Sequence, residues 1–185
     1  SADLAHEQKL KFVLGAAASK NSGASNAIGE GHGDFFLYDV NGNDNLPDYT
    51  QVFVDFLLKY KGFSFLAEYA NASADGLELI YTDQAATQIL APQQISDFLV
   101  LGDSYNFQAG YVSKNGYGFD FRYESATPEF ESNLNSLMAE SSSFTYGLTK
   151  YFDNNNLKVQ AALTTTELGI GNTVTTGELI FQVVF

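Results

Sequence analysis

The chain has 185 residues, a net charge of −13 and no cysteine. Its length suits one domain with a sizeable core. The lack of cysteine excludes disulfides and thiolate metal sites, and the acidity argues against nucleic-acid binding. No run of about 18 apolar residues exists, which excludes a transmembrane helix but not a β-barrel, whose alternating strands escape hydropathy. Ser1-Ala2-Asp3-Leu4 shows no signal peptide, so a mature, processed or fragmentary chain is expected.

Period-two alternation marks the strands. The first covers about 9–17, with Leu10, Phe12, Leu14 and Ala16 opposite Lys9, Lys11 and Gly15. The second covers about 50–59, with Val52, Val54, Phe56 and Leu58 opposite Gln51, Asp55 and Lys59. After a tight turn at Lys61-Gly62, the third sets Phe63, Phe65, Ala67 and Tyr69 against Ser64 and Glu68. The fourth sets Tyr105, Phe107, Ala109 and Tyr111 against Asn106, Gln108 and Gly110. Asn115-Gly116 makes a turn, because that pair tolerates positive φ. The fifth alternates Tyr117, Phe119, Phe121 and Tyr123 with Gly118, Asp120, Arg122 and Glu124. The sixth sets Phe144, Tyr146 and Leu148 against Thr145, Gly147 and Thr149; the seventh sets Leu157, Val159, Ala161 and Leu163 against Lys158, Gln160, Ala162 and Thr164. In the eighth, Leu179, Phe181, Val183 and Phe185 share a face opposite Glu178 and Gln182.

The connections alternate between long and short, with polar loops at about 19–48, 71–101, 125–142 and 167–173. Phe35-Phe36-Leu37-Tyr38 suits packing inside the first loop or a short strand extension, and Leu134 to Met138 a helical turn in the third. Aromatics fall into two sets. Tyr60, Phe63, Tyr111, Tyr117, Phe152 and Phe185 sit beside short turns or at the terminus, and Tyr69, Tyr105, Tyr123 and Phe144 sit at the opposite strand ends. Two aromatic rings with aliphatic residues between them match the interfacial girdles of a barrel in lipid. The fold expected is therefore all-β: an antiparallel up-and-down transmembrane β-barrel in a bacterial outer membrane, eight strands from this chain, long loops outside. One mismatch arises. Apolar bands of about seven residues span about 18 Å at a barrel tilt, short of the usual ~25 Å.

The polar faces carry Lys9, Lys11, Lys59, Arg122 and Lys158 against Asp55, Glu68, Asp120, Glu124 and Glu178, which cancel. These ten residues are the expected pore lining. The remaining four lysines and seventeen carboxylates account for the −13, and most of those carboxylates lie in the long loops. An acidic outer mouth disfavours anion entry.

The terminal strand, with Phe181 and Phe185, resembles the closing strand of outer-membrane barrels, whose last aromatic serves as the signal for the barrel-assembly machinery. The run Val54-Asp55-Phe56-Leu57-Leu58-Lys59-Tyr60-Lys61-Gly62-Phe63-Ser64-Phe65-Leu66-Ala67-Glu68-Tyr69, followed by Tyr105-Asn106-Phe107-Gln108-Ala109-Gly110-Tyr111 and the terminal strand, resembles the C-terminal half of the phosphate- and polyphosphate-selective porins, the porin O and P group. The resemblance implies the last eight strands of a barrel of about sixteen, often a homotrimer, within the lipid of the outer membrane. Its activity would be passive diffusion of small hydrophilic solutes. With one arginine, Arg122, and an acidic mouth, phosphate selectivity is not carried over. Two alternatives stand beside it: a closed eight-stranded barrel serving as an anchor or subunit of an outer-membrane complex, and a soluble β-sandwich binding module.

No enzyme is expected. The histidines are His6 and His32, and a hydrolase built on His32 and Asp34 has only composition behind it. Gly29-Glu30-Gly31-His32-Gly33 lacks the strand and helix of a phosphate loop. No cofactor is expected beyond calcium at Asp39, Asn41 and Asn43, whose spacing begins like a calcium loop. Asp44 and Thr50 stand where that loop needs Gly and Glu, which favours an Asx-rich turn.

Overall fold

The computed structural model describes residues 2–31, 33–153, 156–169 and 171–184. Eight strands form one antiparallel sheet in sequence order: β1 Lys11–Ser22, β2 Asp48–Tyr60, β3 Phe63–Asp75, β4 Gly102–Val112, β5 Tyr117–Pro128, β6 Ser141–Asp153, β7 Leu157–Leu168 and β8 Thr173–Val183. One short 3-10 helix, Pro92–Asp97, lies between β3 and β4. The helical turn expected near Leu134 to Met138 is absent; that segment is turns and bends.

The short turns set register. Lys61 and Gly62 both take positive φ, 49° and 89°, the backbone that a two-residue hairpin requires, and Tyr60 pairs with Phe63 as a result. Gly62 is the natural choice there, and Lys61 accepts the cost of a left-handed conformation.

The strands run longer than their apolar bands. β3 continues past Tyr69 to Asp75, β4 starts at Gly102, β5 ends at Pro128 and β6 starts at Ser141. The physical reason is that the hydrogen-bond ladder needs only backbone. Apolar alternation stops at the aromatic ring, and Ser, Thr and Asn carry the pairing onward. β1 conversely begins at Lys11, so Lys9 lies outside any strand. Strands of about 12 residues rise roughly 30 Å at a barrel tilt, long enough to span, although the added length is polar and the apolar band keeps its shorter span.

The sheet does not close. Among the described residues β1 pairs with no strand but β2, and β8 with no strand but β7. The chain as described therefore forms neither a closed eight-stranded barrel nor a sandwich, which would need a second sheet.

The buried apolar core is not on the aromatic face. It consists of Ala24, Leu37, Ile80, Leu90, Ile95, Leu99 and Leu101 from the loop side, packed on Tyr49 and Ala74. Tyr49 and Ala74 are a cross-strand pair on the polar face of the sheet, so the two longest loops fold over that face at one end. Leu37 is buried and Tyr38 bridges to Asp44 and Tyr81, which places the Phe35-to-Tyr38 segment within the loop core. The aromatic face is left open: Phe12, Phe119, Tyr146 and Phe181 are 67%, 59%, 59% and 70% exposed.

Candidate functional site

Register turns alternation into transverse rows on the polar face. One row runs Gly15, Asp55, Glu68, Asn106, Glu124, Ser143. A second, nearer the short turns, runs Lys11, Lys59, Ser64, Gly110, Asp120, Gly147, Ala162, Glu178. Arg122 lies between them, opposite Gln108 and Thr145, and Lys158 lies opposite Tyr151. Nine of the ten charged residues expected to share a face do so; Lys9 precedes β1 and belongs to no row.

The first row is acidic. Asp55 stands directly opposite Glu68, a like-charge pair that costs stability. Asn106 separates Glu68 from Glu124 and donates from Nδ2 to Oε2 of Glu68 at 2.5 Å. Glu124 accepts a hydrogen bond from Ser143 Oγ at 3.3 Å and faces Arg122 Nε at 3.2 Å. Thr145, opposite Arg122, makes a separate hydroxyl pair with Thr164, 2.9 Å apart. Asn106, Ser143 and Thr145 were not among the expected site residues. The only signal for them is that they share the strand parity of the charges.

Glycine makes room for the carboxylates. A Cβ on Gly110 would stand 2.6 Å from Asp120 Oδ1, and one on Gly147 would stand 3.3 Å from the Asp120 Cβ; one on Gly15 would collide with the Asp55 carboxylate. At the short-turn end the N-terminal segment crosses the same face. Asp3, buried, accepts the Gly62 N–H at 2.7 Å and the Glu7 N–H at 3.1 Å, and Ala2 lines a cleft with Asp120, Arg122 and Glu178. The His6 ring lies against Gly62; His32 lies outside the described residues.

Charge is separated along the strands. Lys9, Lys11, Lys59, Lys61, Lys114, Lys150 and Lys158 cluster at the short-turn end, against Asp3, Glu7, Asp120, Asp153 and Glu178. At the long-loop end Lys20, paired with Asp48 at 3.1 Å, is the one lysine.

The candidate calcium residues form a closed turn. Asp39 Oδ1 accepts the N–H of Asn41 at 2.7 Å and of Asn43 at 2.9 Å, and Oδ2 accepts from Asn43 Nδ2 at 3.1 Å. A cation there competes with those donors. Among the described residues no group of three or more His, Cys, Asp and Glu is placed to hold a metal ion. The Asn43 N–H, then its side-chain amide, holds the Asp39 carboxyl below its ordinary value. Since the folded value is depressed, the turn is stabilised fully above pH ~4 and loses that support as pH falls through the lower folded value. Asn43 amide protection is expected to collapse on acidification and in Asp39→Ala at neutral pH. Hydrogen exchange followed by NMR checks this, and protection that persists in Asp39→Ala would refute it.

Phe181 lies on the exposed aromatic face opposite Val159, and Phe185 lies outside the described residues. No known protein-family model matches this chain, nor does any curated protein or solved structure.

Proposed function

We propose that this chain is a wall segment of an outer-membrane porin, passing small hydrophilic solutes and ions by diffusion along the polar face. The observation that carries the reading is the inversion of the sheet: its aromatic face is open, whereas its apolar core lies among loops folded over the polar face. In water an aromatic face of eight strands is a severe liability; in lipid it is the required surface. Tyr69 and Tyr105, 5.0 Å apart, and Tyr123 and Phe144, 4.9 Å apart, form the girdle at one end of the band. Tyr60, Phe63, Tyr111 and Tyr117 lie at the other.

The free edges favour a larger barrel over a small closed one. Unpaired N–H and C=O groups along β1 and β8 are not tolerated in hydrocarbon. Partner strands, from further chain or from neighbouring copies, would complete the ladder. The likeness of the segments around Lys61-Gly62 to the porin O and P group points the same way. Selection would rest on size and field. The loop core narrows the long-loop mouth, and its acids, with the Asp55, Glu68 and Glu124 row, favour cations.

Planar-bilayer conductance tests this. Stable open steps with cation preference are expected from protein refolded in detergent, and Asp55→Asn/Glu68→Gln/Glu124→Gln should shift the reversal potential toward non-selectivity. Insertion without conductance would mean that partner strands are missing. Monodisperse protein that never needs detergent would overturn the membrane reading.

A further inference from the structure

The aromatic face is not uniform. Across β3 to β7, from Phe63 to Leu163, it sinks into a depression of about 610 Å³ whose lining is almost wholly apolar, with Asp120 its one charged residue. Ala109 and Ala161 line it with Phe119, Tyr146, Leu148 and Leu163. Its walls are open, with Phe119 at 59%, Leu148 at 56% and Leu163 at 49% exposure. The volume is in the range of ligand sites, ~300–1,000 Å³.

A cation stands at its short-turn rim. Lys150 is two residues beyond Leu148 on the same face of β6, directly opposite Tyr117 and Val159. Its Nζ sits 3.9 Å from the centre of the Tyr117 ring and donates to the Asn115 carbonyl at 2.7 Å. Those contacts hold the ammonium at the girdle and leave N–H donors to spare. Among the described residues no carboxylate forms an ion pair with it. The position repeats the basic character of this whole end, where Lys61 also lies over Tyr60 at 4.9 Å.

We infer that this depression holds one anionic phospholipid of the short-turn leaflet, its acyl chain across Ala109 and Ala161 and its phosphate at Lys150. The inference rests on the membrane reading above and adds a specific annular lipid to it. Charge complementarity selects the occupant. An aliphatic tail needs a trough with little polar surface, and a phosphate needs a cation at the depth where headgroups begin. A second copy of this chain would bring its own lysines to the same rim and repel.

Native mass spectrometry of the refolded protein in micelles containing equal phosphatidylglycerol and phosphatidylcholine tests it, alongside flotation with vesicles to score insertion. Retention of one phosphatidylglycerol in preference to phosphatidylcholine is expected. Lys150→Gln should lower that preference about fivefold, the effect of one lysine near a charged headgroup. Lys20→Gln, at the opposite, long-loop end, should leave it unchanged, and Ala161→Phe should abolish lipid retention by filling the depression while flotation persists. Protein that floats but shows no anionic preference, or for which Lys150→Gln and Lys20→Gln behave alike, overturns the lipid site alone. A dimer whose cross-links map to Ala161 overturns it in favour of a second copy. Protein that never floats overturns both the site and the membrane reading.

Discussion

Arginine in place of Phe121 is expected to weaken folding into a bilayer by about 2–4 kcal/mol, the cost of a cation at mid-depth on the lipid face of a barrel. Phe121 lies between the two aromatic ends of β5, Tyr117 and Tyr123, and packs on Phe144 and Tyr146 with ring centres 6.3 and 5.5 Å away. Its exposure in the isolated sheet is 38%, so a soluble protein would accept arginine there with a modest packing loss and a gain in solubility. The two environments therefore predict opposite outcomes for one substitution. Urea-dependent folding into vesicles, read by tyrosine fluorescence and gel mobility, measures it. Arg122→Phe, one residue along, is the mirror experiment. It removes a charge from the polar face and should leave insertion intact while changing conductance. If Phe121→Arg folds as well as the parent, the aromatic face does not meet lipid.

Leu99→Ala is expected to cost about 2–5 kcal/mol, the usual range for truncating a fully buried leucine, and the loss should be local. Leu99 is 0% exposed in a core built from loop residues, among them Leu37, Ile80 and Ile95. That core is tied to the sheet by Tyr49, whose hydroxyl donates to the Val100 carbonyl at 2.8 Å. Loosening it should release the bridge between Tyr38 and Tyr81 and the Val100 N–H bond to Ala27. The ladder between β6 and β7, which the loop core does not touch, should keep its protection. Hydrogen exchange resolved by segment separates the two. Simultaneous loss of loop and strand protection would show instead that loops and sheet unfold as one unit. In a conducting barrel the same variant should raise open-channel noise, because the loops that cover the polar face would fluctuate.

Much of this molecule is written locally. The alternation of Tyr117, Phe119, Phe121 and Tyr123 with Asp120, Arg122 and Glu124 marks a strand, and the Lys61-Gly62 turn fixes the neighbouring register, because both depend on residues adjacent in sequence. Eight strands in meander order follow from that local information, as does the sharing of one face by the charges from Lys11 to Glu178. Polarity is a poor marker of loop at the strand ends. Asn71, Ser73 and Thr127 look like loop residues but belong to the ladder, since pairing across strands is blind to side-chain hydropathy.

Three properties required the tertiary structure. The loop core of Leu37, Ile80, Ile95 and Leu99 has no period, because mostly irregular backbone imposes none, and apart from Ile95 and Leu99 its members meet across long separations. The row that places Asp55, Glu68, Asn106 and Glu124 side by side depends on register across residues 76–101, a connection too long to dictate pairing. The unpaired edges of β1 and β8 also escape the sequence, because alternation states which way a side chain points and nothing about how strongly a sheet bends or whether its ends meet.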